Sequence, residues 1–270
     1  MTMKTMLVTG VSSGVGLVTA TKLAEQGHQV IGLARHATTQ ATLTQLGVEL
    51  YDVDLANNQA IKATMATILS KHDHIDALLN IAGFAANGPL ELVTDEQAKA
   101  QLEVNVLGVM RLIRAVLPTM RNQQSGTIVN VSSVMGQAYQ PMLGWYAATK
   151  HALEVLTDTL RVEVAPFGIK VTLVEPNGIA TPMSSGEAHF QKQFANSAYE
   201  NLAQKMDALF KTGGTKSVSA ESVADLIIKS ALIKHPRPRY AIGYLAKTMM
   251  GMARFLPSSW YDKGLQRLLK

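Results

Sequence analysis

The chain has 270 residues, 47% hydrophobic and 17% charged, a balance that fits one well-filled globular core and excludes a disordered chain. It contains no cysteine, which rules out disulfides, thiol catalysis and cysteine-ligated zinc, and its seven histidines lack HExxH-like spacing, so no metal site is expected. The net charge of +5 comes without an arginine-rich arm or an aromatic–basic stripe, so nucleic acid is not an expected partner.

Short apolar runs then alternate with longer helical patterns. The first run, Thr5–Thr9, starts too early to leave room for a signal peptide. No apolar run approaches the roughly 20 residues that cross a bilayer, so a cytoplasmic protein is expected. Further strands are predicted at Gln29–Ala34, Val48–Val53, Ala77–Ile81, Gly126–Ser132, Lys170–Glu175 and Arg239–Ile242. Helices are predicted at Val15–Gln26, Asn57–His72, Asp95–Arg121 and Trp145–Val164. Thr94 and Gln97 form a capping-box-like start to the third of these. Strand–helix alternation with right-handed crossovers gives an α/β, doubly wound parallel sheet with helices on both faces, spanning 1–270 as a single Rossmann-like domain. In that architecture ligands bind at the carboxyl ends of the strands, where the sequence places its motifs.

The first motif, Gly10, Ser12, Ser13, Gly14, Val15 and Gly16, lies where the first strand turns into the first helix. Glycines there permit positive φ and let a pyrophosphate approach the backbone, while the helix N-terminus offers free N–H groups and positive dipole. The second strand ends at Ala34-Arg35-His36. NAD sites usually place a carboxylate here for the ribose hydroxyls, whereas arginine accommodates the 2′-phosphate of NADP, so Arg35 favours NADP(H).

Tyr146 and Lys150 stand four residues apart and meet on one helix face. A phenol is a weak acid near neutrality, and an adjacent ammonium is expected to lower its pKa and make Tyr146 a usable general acid and base.

The ensemble resembles the short-chain dehydrogenase/reductase family over about residues 4 to 185. The carriers are TGVSSGVG (9–16), DL (54–55), NIAG (80–83), the Asn105 of VNVLG, IVNVSS (128–133), YAATK (146–150) and PNGIATPM (176–183). The resemblance implies Ser133, Tyr146, Lys150 and Asn105 as the catalytic set. Ser133, rather than Ser132, would bond the substrate oxygen, Lys150 would also hold the nicotinamide ribose, and Asn105 would support a water chain to Lys150. It further implies Asp54 and Leu55 at the adenine, Asn80, Ala82 and Gly83 at the adenosine ribose, and Pro176, Ile179 and Thr181 at the nicotinamide end. A homodimer or homotetramer, built partly from the helices at 95–121 and 145–164, is implied as well. Two positions depart from the family pattern. Ile81 replaces a frequent Asn, loosening a structural hydrogen bond. Asn177 replaces a common Gly, where Asn is expected to tolerate a left-handed turn.

The activity expected is NADP(H)-dependent interconversion of a carbonyl and an alcohol. Around the substrate, Phe84, Met135, Met142, Leu143, Trp145 and Met183 carry little fixed charge, so a small, mainly apolar compound is expected. An NAD-dependent alcohol or hydroxysteroid dehydrogenase and a non-catalytic dinucleotide-binding sensor are the two rival readings. A polar helical insertion at about 183–214 is expected to cover the substrate. The tail, 244–270, has apolar residues at helical spacing among basic ones, interrupted by Pro257. It is read as packing over the pocket or against another subunit, in preference to lying on an anionic membrane surface.

Overall fold

The computed structural model describes residues 2–180, 190–214 and 217–269. In chain order the first half contains β1 (Thr5–Thr9), α1 (Gly14–Glu25), β2 (Gln29–Ala34), α2 (Ala41–Gln45), β3 (Glu49–Asp52), α3 (Asn58–Lys71) and β4 (Ala77–Asn80). After these come α4 (Asp95–Leu102), α5 (Val109–Asn122), β5 (Gly126–Val131), α6 (Gly144–Val164), β6 (Ile169–Pro176) and the two-residue β7 (Ile179–Ala180). The remainder is α7 (Phe190–Gln193), α8 (Glu200–Gly214), β8 (Val218–Ser219), α9 (Ala220–Leu232), β9 (Arg239–Ile242), α10 (Ala246–Phe255) and α11 (Ser258–Leu268).

The described residues form a seven-stranded parallel sheet in the order β3-β2-β1-β4-β5-β6-β9. Strand side chains alternate between its two faces, as the two-residue period requires. Met6, Val8, Val30, Leu79 and Val129 pack with α1 and α9 on one face. Leu7, Ile31, Leu78 and Ile128 pack with α3, α5 and α6 on the other. Both faces are dry, so these strands read as continuous apolar runs. Each fully buried Leu, Ile or Val contributes roughly 1.5–3 kcal/mol relative to exposure.

The strands fall where the sequence places them, within one or two residues. The helical regions differ more. The expected single helix at 95–121 is broken by a π-helical turn, Glu103–Gly108, between α4 and α5. Gly108 sits tightly against Leu55, where a Cβ would come within 2.7 Å of the Leu55 carbonyl oxygen. The capping box is present, with Gln97 N–H donating to Thr94 Oγ1 at 3.3 Å and Thr94 N–H to Gln97 Oε1 at 3.0 Å. Helix α9 is not among the predicted helices, although Val223, Ile227, Ile228 and Ala231 carry the spacing of a buried face and pack beside α1. Among the described residues no helix is long and apolar enough to cross a membrane.

Candidate active site

A cavity of about 390 Å³ opens at the carboxyl edge of the sheet, running from the β1–α1 turn to the first turns of α6. At its first end Gly10 and Gly14 take φ of +80° and +54°, a region that glycine enters without steric cost. A Cβ on Gly16 would lie 2.2 Å from the Gly10 carbonyl oxygen, so only glycine lets α1 approach the turn this closely. Ser13 is the N-cap of α1 but makes no capping bond, which leaves first-turn N–H groups free for an anion. Ser12 and Ser13 are exposed at the cavity, and Val15 lines it behind them.

Arg35 lies on the rim, exposed, and among the described residues no ion pair engages it. The carboxylate closest in the sheet register, Asp52 opposite Ala34, is occupied by the Thr38 N–H (3.0 Å) and hydroxyl (2.7 Å). Asp54 and Leu55 also line the rim, and the Ala56 N–H, donating at 2.9 Å, holds the Asp54 carboxylate in place.

The middle of the cavity is set by Thr9. Its hydroxyl oxygen accepts the N–H of Ile81 (2.9 Å) and of Ala82 (3.0 Å), pinning the loop after β4. The Ile81 backbone is therefore anchored without the Asn that the family often has, and its side chain packs against the core. Ala82 and Gly83 line the cavity as expected.

Asn80 does not. It is buried, and its Nδ2 donates to Asn130 Oδ1 at 2.8 Å, while Asn130 in turn donates to Thr157 at 2.9 Å. It joins β4, β5 and α6 and is not among the residues that line the cavity.

At the far end, Ser133, Tyr146 and Lys150 converge. Ser133 follows β5 and caps a short 3₁₀ turn by accepting the Met135 N–H at 3.2 Å, with its hydroxyl 3.5 Å from the Pro176 carbonyl. Ser132 lines the cavity but its hydroxyl donates to Glu154 Oε1 at 2.8 Å, whereas Ser133, outside the lining, is the hydroxyl that bonds Tyr146. Pro176 itself does not line the cavity.

The expectation for Tyr146 needs correction. Burial pushes its phenol above the ordinary value, and the Ser133 hydroxyl opposes that only in part. The Lys150 ammonium lies 5.7 Å from the ring centroid and donates to the Val131 carbonyl at 2.8 Å, so its hydrogen bond goes to the strand and not to the phenol. Burial draws the Lys150 pKa down to about 8, with Glu154 one turn further pulling it up.

Asn105 sits in the π turn and uses its whole side chain. Its Oδ1 accepts the Phe84 N–H (3.0 Å), and its Nδ2 donates to the Phe84 carbonyl (2.8 Å) and to Thr149 Oγ1 (3.2 Å). It clamps the loop after β4 onto α6 and does not line the cavity. Ile179 lines the cavity near Tyr146 and Lys150, whereas Thr181 and Met183 lie outside the described residues. The left-handed residue of that loop is Gly178, with φ +58°, and not Asn177. Asn177 instead donates to the Tyr244 carbonyl at 2.7 Å, tying the loop to the tail.

Of the expected substrate residues, Phe84 faces the cavity, but Met135 and Leu143 are buried beneath α10 and α11. Met142 packs against Phe190, Phe194 and Met206 of the insertion. It also borders a second hollow, of about 340 Å³, shared with Leu90, Tyr199 and Leu202.

One group behind the site was missed. Arg239 on β9 bridges buried Glu154 and Glu175 at 2.6 Å each and also pairs with Asp158. Gln137 donates to Glu175 at 2.7 Å. A Cβ on Gly136 would strike Glu154 Oε1 at 2.0 Å, so this glycine is required by the carboxylate behind it. Sequence offered one signal, Glu154 one turn after Lys150.

The glycine turn, the free helix N-terminus and the parallel strand order define a dinucleotide-binding fold. Comparison with known proteins places it further. The family model for short chain dehydrogenases matches residues 4–192. A probable short-chain type dehydrogenase/reductase of Helicobacter pylori, VdlC, is 33% identical over 95% of this chain and 94% of its own. The 3-ketodihydrosphingosine reductase of Bacteroides thetaiotaomicron is 31% identical over 96% of both chains. The crystal structure of a short-chain dehydrogenase from Streptomyces avermitilis superposes with a TM-score of 0.82 at 30% identity, covering 99% of this chain and 96% of that one. The chain belongs to the short-chain dehydrogenase/reductase family of oxidoreductases, whose fold binds a nicotinamide dinucleotide.

Proposed function

We propose that the protein is an NADP(H)-dependent reductase that converts the carbonyl of a mainly apolar compound to an alcohol. The observation that carries this reading is one cavity with Arg35, which has no ion pair among the described residues, and the glycine turn at one end, and Tyr146 and Lys150 at the other, the Ser133 hydroxyl bonding Tyr146. The cradle fits the cofactor, because its glycines leave room for a pyrophosphate that any Cβ at Gly16 would deny. Bound there, the nicotinamide supplies a hydride. Ser133 donates a hydrogen bond to the substrate oxygen and stabilises charge developing on it. Tyr146 gives that oxygen its proton. A phenol is protonated at neutrality, so Tyr146 can donate in reduction and, as the phenolate, accept a proton in oxidation. Lys150 supplies positive charge near the phenol, and Asn105 holds the Phe84 loop against α6. The chain would act as one subunit of a dimer or tetramer, since Leu107 in the π turn and Val155 and Val162 on α6 are exposed apolar side chains on the expected pairing elements.

A carbonyl panel read by NADPH and NADH consumption tests this reading. It should include long-chain ketones, among them the ketone named for the Bacteroides relative. The wild-type protein should prefer NADPH, and Arg35→Asp should weaken NADPH roughly 10- to 150-fold, the loss of about 1.5–3 kcal/mol from one charge-assisted hydrogen bond. An unchanged ratio of efficiencies would return Arg35 to the ordinary surface. No turnover across the panel despite tight NADPH binding would favour a sensor.

A further inference from the structure

The two C-terminal helices have two apolar faces. On the inner one Ala246, Met249, Met250 and Ala253 recur at i, i+3, i+4 and i+7 and pack, with Tyr261 and Leu265, over Met135, Leu143 and Ala147. That face covers the segment between Ser133 and Ala147.

The outer face is uncovered. Phe255 is 79% exposed, Trp260 66% and Leu268 68%, with Met252 and Leu256 exposed beside them. Trp260, Gly264 and Leu268 follow one another at i, i+4 and i+8, and a Cβ on Gly264 would meet only open space. Phe255, Leu256 and Trp260 cluster at the corner between α10 and α11. This concentration exceeds the scattered single residues of an ordinary surface.

Charge identifies what the face meets. Residues 244–270 contain Lys247, Arg254, Lys263, Arg267 and Lys270 against one acid, Asp262. That acid is occupied, its carboxylate accepting the Tyr139 hydroxyl at 2.8 Å. Most of the chain's net charge of +5 therefore sits on this tail. A two-fold pairing of two copies through the same face would set these cations against one another.

We propose that the outer face of α10 and α11 docks on an anionic phospholipid surface. The corner residues Phe255, Leu256 and Trp260 enter the headgroup–acyl boundary, and the lysines and arginines meet the lipid phosphates. The contact is peripheral, since neither helix is long enough to cross a bilayer. It places the inner face, and the active-site segment beneath it, next to a lipid reservoir.

Co-sedimentation of the full chain with vesicles tests the proposal without reference to turnover. Binding is expected to phosphatidylcholine vesicles containing phosphatidylglycerol at low salt, to be weak on phosphatidylcholine alone, and to be released by about 0.5 M salt. Lys263→Glu with Arg267→Glu should weaken it at least about 20-fold, taking each cation near the surface as about five-fold. Phe255→Ser should weaken it about ten-fold; it changes a side chain that is almost wholly exposed, so folding is spared, as an unchanged circular dichroism spectrum and melting temperature would show. Vesicles should also blue-shift the tryptophan emission, and Trp260→Phe should abolish that shift while retaining most of the binding. Full-length protein that stays in the supernatant with anionic vesicles at low salt overturns the proposal. So does a charge-reversed variant that binds like wild type. If vesicles are ignored and Phe255→Ser instead dissociates an oligomer in sedimentation velocity, the face belongs to a second copy.

Discussion

In the proposed reaction Tyr146 and Lys150 act in different ways, and each can be tested alone. Tyr146→Phe removes the proton donor while leaving the glycine cradle intact, so turnover should fall about 10²–10⁴-fold with NADPH affinity, read by fluorescence titration, nearly unchanged. Near-normal turnover would move the acid elsewhere. Lys150 is the pH-sensitive member, its pKa drawn by burial from 10.5 to about 8. Its positive charge is lost as pH rises through about 8, so kcat/KM for reduction should decline above that pH. Stability should move the other way. Between about pH 8 and 10.5 the unfolded chain holds a proton on this lysine that the native one lacks, so the urea midpoint should rise there, and Lys150→Met should abolish the rise. A pH–rate profile flat to pH 9.5 would contradict the role given to the cation. At this scale the sequence was readable where spacing decides position. The four-residue step from Tyr146 to Lys150 and the glycines at 10, 14 and 16 all reached the cavity. It was not readable where direction decides. Asn80 stands at a strand end like its neighbours, yet its amide turns to Asn130, and Tyr146 meets burial before it meets the ammonium.

At the level of elements, the π turn and the edge strand hold the site from behind. The π turn places Asn105 where its amide reaches Phe84 and Thr149 together, and single-turn π insertions recur at functional sites. No periodicity in residues 95–121 announces the extra residue, because the apolar pattern continues through it. Arg239 on β9 serves two buried carboxylates, and replacing it by Met leaves both without a cation. Breaking such a buried pair costs about 3–5 kcal/mol. Glu175, already pushed upward by burial and then by Glu154, can take a proton and soften the loss. The unfolded variant holds that proton less tightly than the folded one, so its stability should fall as pH rises. Urea unfolding of Arg239→Met should show a larger deficit at pH 8 than at pH 6. A deficit under about 1 kcal/mol at both would mean that the network is solvated. Arg239 was legible as a strand residue only, since its partners lie 85 and 64 positions away.

For the whole molecule, the doubly wound class could be anticipated because most strands of the main sheet are short apolar runs followed by a helical pattern. The tail was legible as amphipathic but not as two-faced. Helical spacing gives Met249 and Ala253 to one side and Phe255 and Trp260 to another only once the helices are docked on Leu143 and Ala147. The same late position of β9 bears on how the chain is made. Ribosomes release residues in order, and Glu154 and Glu175 emerge well before the arginine that neutralises them. Until β9 docks beside β6, the nascent chain has two carboxylates that water must solvate, and the wall behind Ser132 and Lys150 cannot close. The catalytic end of the sheet is thus sealed by a segment synthesised after both carboxylates, so a chain terminated before β9 holds the glycine turn and the Ser-Tyr-Lys set, yet lacks the cation that pairs with Glu154 and Glu175.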